Sequence, residues 1–150
     1  MKKSIISKIT YVIFLIMLIC GGICLFLIPT LYDKFVGINM PKFSDQTVYY
    51  QIAFYVCYLI SLGILYELMN LFKNIYKDSP FKKEIEVILK VVAVLFMILF
   101  LIISIKSFFI PTILTFAVMI ITFMVSLSFY VLSQVIKSAI AYKNELDLTV

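Results

Sequence analysis

The sequence predicts an all-α integral membrane protein: four transmembrane helices in one bundle, both termini cytoplasmic, and a fourth helix extended into the cytoplasm. Three observations predict it. The 150-residue chain is 64% hydrophobic and only 14% charged, which leaves too little polar surface for a soluble domain of this size. Four apolar runs reach the length of about 20 helical residues that crosses a hydrocarbon core of about 30 Å. Nearly all the charges fall between or beside those runs. Lipid offers no hydrogen-bond partner to an open backbone, so such runs cross only as helices.

The first run covers residues 9–28 and follows Lys2, Lys3 and Lys8. Its length, and the lack of a small-x-small cleavage site before Pro29, predict a retained anchor rather than a signal peptide. Gly21 and Gly22, beside Cys20 and Cys24, form a small-residue patch that lets another helix approach closely. The second run, residues 48–72, holds Glu67, the one acidic group well inside an apolar stretch. Residues 74–86 read NIYKDSPFKKEIE, in which Ser79 and Pro80 signal a helix start: a capping hydroxyl, then proline at the first helical position. Glu84 and Glu86 follow where a helix dipole favours acids.

The third run, residues 85–105, is long enough to span only if Lys90 lies inside it. Glu86 precedes Lys90 by four residues, the favourable order for a helical pair, and Lys90 is within snorkelling reach of the interface. The fourth run starts near residue 109, spans to about 132 and stays uncharged through Ile136. Pro111 sits near its start, where proline disrupts little. At its far end Leu132, Val135, Ile136, Ala139 and Ile140 share one face by 3/4 spacing, while Ser133, Gln134, Lys137 and Ser138 are polar. The helix is therefore expected to continue about two to three turns past the bilayer. Residues 133–150 form this amphipathic extension and tail, and nothing resembling a linker or repeat divides the chain, so residues 1–150 read as a single domain.

Lysine counting orients the bundle. Ten of the 13 lysines lie at the N-terminus, around the loop between the second and third spans, or in the C-terminal segment; Lys34, Lys42 and Lys106 lie on the other side. The expected location is the bacterial cytoplasmic membrane, N-in and C-in, with an outer loop at residues 31–47 and a tight second outer turn around residues 106–108.

Composition also narrows the chemistry. The chain has no His, which removes the commonest general base and metal ligand. Cys20, Cys24 and Cys57 all lie in apolar runs, without the C-x-x-C of a dithiol site. Phosphate loops, H-E-x-x-H and G-x-S-x-G are absent, and no histidine is present to activate Ser61, Ser126, Ser128 or Ser133. The expectation is a non-enzymatic protein with no cofactor, no metal and no catalytic residue. The net charge of +5 is spread over short loops, not clustered as a nucleic-acid face requires.

Two places carry candidate function. Glu67, with Asn70 and Asn74 near its face, is an ionisable group at membrane depth; it either pairs with Lys90 or Lys73 to fix helix contacts or responds to a proton or cation. The tail KNELDLTV, residues 143–150, either caps the bundle, with Glu145 and Asp147 pairing to Lys77, Lys82 or Lys83 and Leu148 and Val150 tucked beneath, or docks a partner. Exposed pairs of that kind contribute about 0 to 1 kcal/mol each.

Ser79-Pro80-Phe81 and the ending LSQVIKSAIAYKNELDLTV, residues 132–150, resemble the YoaS-like membrane proteins of bacteria, domain of unknown function 2975. The first matches that family's proline-phenylalanine start before the third span, and the second its amphipathic helix closing on Glu-x-Asp-Leu-Thr-Val or Ile. Leu146 departs from the family's usual Asn, and KKEIEVILK is less basic than its usual start, so the resemblance is to a divergent member. It implies no established activity. Members are often encoded beside a small helix-turn-helix regulator, which implies a membrane component that holds or signals to it. The working surface would then be Lys77, Ser79, Pro80, Phe81, Lys82 and Lys83 with Glu145, Asp147, Leu148 and Thr149.

The expected partners are the lipid bilayer, a cytoplasmic protein and a further copy of the chain, with no direct nucleic-acid contact. Three other functions attach to other residues. An immunity protein of the bacteriocin type would use the outer loop at residues 35–43, a small dimeric transporter would use Glu67, and a thiol oxidoreductase would use the three cysteines.

Overall fold

The computed structural model describes residues 5–31, 34, 47–77, 81–109 and 111–149. Apolar backbone satisfied within its own segment accounts for the four elements: α1 (Ile5–Cys24), α2 (Thr47–Lys77), α3 (Lys83–Phe109) and α4 (Ile113–Leu148). All four are long and apolar enough to cross a membrane. At about 1.5 Å per residue the 36 residues of α4 extend about 54 Å, well beyond a hydrocarbon core of about 30 Å.

The helices run antiparallel in chain order, and each packs chiefly on its neighbours in sequence: α1 on α2, α2 on α3, α3 on α4. The central helix is α3. Its buried Ile85, Leu89, Val92 and Leu99 are spaced by four, three and seven residues, the 3.5-residue period of left-handed helix contacts. Val92 is fully buried and forms one cluster with Ile64 of α2 and Leu99; Leu71 of α2 forms a second with Ile85 and Leu89. Phe129 of α4 packs on both clusters.

Helix α4 meets α3 along an inverted pattern. Its buried residues are Thr115, Thr122, Ser126 and Ser133, while Ile120, Ile121, Met124 and Val131 are about 60% exposed. Small polar side chains inside and large apolar ones outside suit a helix whose solvent is lipid, because small residues let backbones approach closely. The Ser126 hydroxyl donates to the Ala93 carbonyl of α3 at 2.8 Å. Phe96 and Phe129 stack at 6.0 Å, and Phe100 meets Phe123 at 5.1 Å.

Helix α1 contributes no buried residue and is held to α2 at few points. Phe14 stacks on Phe72 at 5.5 Å, and the Tyr58 hydroxyl donates to the Gly21 carbonyl at 2.6 Å. Gly21 is the contact the small-residue patch promised; Gly22, Cys20 and Cys24 face outward, and a Cβ on Gly22 would meet nothing. After Cys24 the chain tightens into i→i+3 bonds, Phe26 N–H to the Ile23 carbonyl and Leu27 N–H to that of Cys24, before Pro29, which cannot continue the α-helical ladder.

A Cβ at Gly21 would lie 2.7 Å from the end of the Leu62 side chain, a flexible group that can swing aside. Gly21→Ala is therefore expected to be tolerated. Gly21→Phe should drive α1 off α2 and break the Tyr58 bond, with a loss of about 1–3 kcal/mol by overpacking. Thermal unfolding of both variants in mild detergent checks the contrast.

Two expected boundaries shift. Phe109 belongs to α3, Lys106 to Phe108 are helical, and α4 starts at Ile113. Between them Pro111, which lacks an N–H, and Thr112 are not helical, and Thr112 takes the cap: its hydroxyl accepts from the Thr115 N–H at 3.2 Å. Lys106 in the last turn of α3 complements the helix dipole. At the other end α3 starts at Lys83, with the Ile85 N–H bonded to the Lys82 carbonyl. Phe81 and Lys82 are not helical, so α3 begins later than the start that Ser79 and Pro80 signalled. Ser79 and Pro80 themselves lie outside the described residues, as does the outer loop at residues 35–43.

Candidate functional site

Antiparallel order brings the start of α1, the end of α2, the start of α3 and the end of α4 to one end of the molecule, and this end carries Lys8, Lys73, Lys77, Lys83, Lys90, Lys137 and Lys143. Among the described residues α4 carries on furthest past this end, to Leu148. Every residue from Ala141 to Thr149 is exposed, and the helix holds its backbone bonds until Thr149 closes it. The Thr149 N–H bonds the Leu146 carbonyl at 3.3 Å, and its hydroxyl reaches the same carbonyl at 2.9 Å and that of Glu145 at 3.2 Å.

This geometry overturns the capping expectation. Leu148 is 86% exposed, and among the described residues no ion pair joins Glu145 or Asp147 to Lys77, Lys82 or Lys83. Residues 143–148 of the tail continue α4 as an exposed helix, and Val150 lies outside the described residues. Glu145, Asp147, Leu148 and Thr149 therefore sit together at the tip of a helix. Phe81, 46% exposed, and Lys83 sit at the start of α3, with Lys82 half-buried between them.

Ser133 explains where the projection begins. It is completely buried, its hydroxyl bonded to the Tyr130 carbonyl at 2.7 Å, and Ile136 is the next α4 residue on the same face to touch the α2–α3 core. Beyond Ile140 every residue of α4 is exposed.

The structure places Glu67 and Lys90 apart. Glu67 is half-buried, three residues after Ile64 and four before Leu71, so it flanks the α2 seam that meets α3. Asn70 and Asn74 are half-buried on the same side. Lys90 is exposed together with Lys83, Val87 and Val94, the outward face of α3 opposite Val92. The expected Glu67 pair with Lys90 or Lys73 is not formed among the described residues, because the residues that carry α3 onto α2 leave Lys90 more than a quarter turn away from that seam. Among the described residues no three His, Cys, Asp or Glu side chains come together. Cys57 packs on the Ile64–Val92–Leu99 cluster while Cys20 and Cys24 are exposed on α1.

Without an ion pair to lose, Glu67→Gln is expected to change stability by less than about 0.5 kcal/mol. Chemical unfolding in detergent checks this. A loss several times larger would mean that the carboxylate has a charged partner.

A family model described as protein of unknown function, DUF2975, matches residues 37–150. The chain belongs to the DUF2975 family. The match takes in α2, α3 and α4, which share the core, and leaves out α1, which buries nothing. No curated protein and no solved structure compared with the chain matches it. The match includes the exposed end of α4.

The small polar seam of α4 went unread in the sequence. Thr115, Thr122, Ser126 and Ser133 look like isolated hydroxyl residues until their seven- and four-residue spacing is laid on a helix. The Tyr58–Gly21 bond left no sequence signal beyond the glycine itself.

Proposed function

We propose that this DUF2975 member is a non-enzymatic, multi-pass regulatory protein of the bacterial inner membrane. Its lysine-rich end faces the cytoplasm, N-in and C-in, and the tip of α4 docks a small cytoplasmic protein of the helix-turn-helix regulator kind. One observation carries this reading: α4 continues as an ordered, fully exposed helix to Leu148. A helical arm ending in Glu145, Asp147, Leu148 and Thr149 is shaped to be gripped, and the lysine asymmetry puts it on the cytoplasmic side. Phe81, Lys82 and Lys83 lie at the same end as a second point of contact.

The test is capture from native membranes. The intact protein, a form ending at Tyr142 and a Glu145→Lys/Asp147→Lys variant are purified in parallel, and co-eluting proteins are identified by mass spectrometry. A cytoplasmic regulator held by the intact form and lost from both others supports the reading. A regulator held equally by all three, or the absence of any protein specific to the intact form, refutes it.

A further inference from the structure

The geometry points to α4 as the axis of a parallel homodimer in which two copies pair along a face that α3 does not use. This goes beyond the docking reading and stands independently of it. The face is defined by about the last five turns of α4, where Leu132, Val135, Ala139, Tyr142 and Leu146 recur at alternating three- and four-residue steps; Ala139 is half-buried. Leu132, Val135, Tyr142 and Leu146 are 45%, 56%, 69% and 68% exposed. This stripe lies beside the face that carries Ser133, Ile136 and Ile140, and is distinct from it.

Within lipid an exposed apolar face needs no explanation. Beyond the bilayer it does. Followed back into the membrane at the same 3.5-residue register, the stripe passes through Val125, Ile121 and Val118 to Leu114. It is interrupted by one polar residue, Ser128, whose hydroxyl is satisfied by the Met124 carbonyl at 2.8 Å. One register that crosses both lipid and water calls for an occupant that does the same. A soluble protein could cover only the lower half, and lipid only the upper half. A second α4 covers both, and because each copy is anchored with the same topology the two must run parallel, as a two-fold axis along the membrane normal requires.

The size and the charges agree. From Leu114 to Leu146 the stripe is about 48 Å long at 1.5 Å per residue, and at about 10 Å of helix width it covers roughly 500 Å² per copy, about 1,000 Å² in total, the lower bound for a specific interface. In parallel register Lys143 of one copy flanks Ser138 of the other, so no like charges face each other along the stripe. The tips carrying Glu145, Asp147 and Thr149 would then stand side by side.

The test is disulfide scanning of the full-length protein in native membranes. In a background carrying Cys20→Ser, Cys24→Ser and Cys57→Ser, single cysteines replace Val135, Lys137, Ala139, Ala141, Tyr142, Asn144 or Leu146, and oxidation with copper phenanthroline is followed on non-reducing gels. Covalent dimer at 135, 139, 142 and 146, at least fivefold above 137, 141 and 144, is the expected result. Six of the seven positions are exposed and Ala139 is half-buried beside Ile140; none is among the buried residues of α4. Cross-linking that is uniform, greatest at 137 or 144, or absent throughout overturns the proposal. Photobleaching of singly labelled protein in dilute phosphatidylethanolamine–phosphatidylglycerol vesicles supplies a second readout: two steps support the dimer, and one step overturns it.

Discussion

Ser133→Leu is expected to cost about 1–3 kcal/mol, the range for inserting extra methylene groups into a close-packed contact. Ser133 is completely buried, between Phe129 and Ile136 on the α4 face that packs against Leu71, Ile85 and Leu89. The only way to admit a leucine there is to part α4 from α3, and the Ser126 bond to the Ala93 carbonyl at 2.8 Å would stretch with it. Two milder changes show that volume and not the hydroxyl is responsible. Ser133→Ala removes a hydroxyl bonded within its own helix, to the Tyr130 carbonyl, which keeps its place in the α-helical ladder; the cost should stay under about 0.5 kcal/mol. Ser126→Ala removes a bond between helices, worth about 0.6 kcal/mol on average in membranes. Unfolding of the three variants in the same detergent should therefore rank Ser133→Leu well above Ser126→Ala, and Ser126→Ala at or above Ser133→Ala. If Ser133→Leu unfolds like the unmodified protein, the α3–α4 contact is not close-packed at this depth.

Length and hydrophobicity made the four spans legible, since about 20 apolar residues admit little besides a crossing helix. Their ends were less so. In FFIPTILTF, residues 108–116, every neighbour of the turn is apolar, and only Pro111 followed by the Thr112–Thr115 spacing marks where one helix stops and the next is capped. Azimuth was the larger gap. Depth alone put Glu67 and Lys90 near each other, but Ile85, Leu89 and Val92 set the phase of α3 and turn Lys90 outward. The same phase reasoning would have found the α4 seam, where Thr115, Thr122, Ser126 and Ser133 repeat in step. The tail misled for another reason. Carboxylates at Glu145 and Asp147 near the loop lysines, with Leu148 and Val150 at the end, suggested a cap, whereas backbone continuity from α4 carries the helix through Leu148 and Thr149 closes it.

That continuity makes Ala141→Pro the variant with the largest expected effect on docking. Ala141 is exposed, so the substitution removes no buried contact. Proline there takes away the N–H that bonds the Lys137 carbonyl and sets its ring against that carbonyl, a penalty of about 3 kcal/mol in a helix interior. The seven helical residues that follow, Tyr142 to Leu148, are too few to hold a helix of their own in water. Amide hydrogen exchange should show Lys143 to Leu148 losing protection while α2, α3 and α4 up to Ile136 keep theirs, and the unfolding midpoint of the core should not move. If the arm docks a partner as a helix, capture should fall at least tenfold, although every side chain of KNELDLTV is still present. Ala141→Gly separates conformation from composition: it costs about 1 kcal/mol, loosens the arm without bending it, and should retain most of the capture. A partner held equally by the proline variant would mean that the tip is read as an extended peptide, so that the ordered helix has no part in recognition.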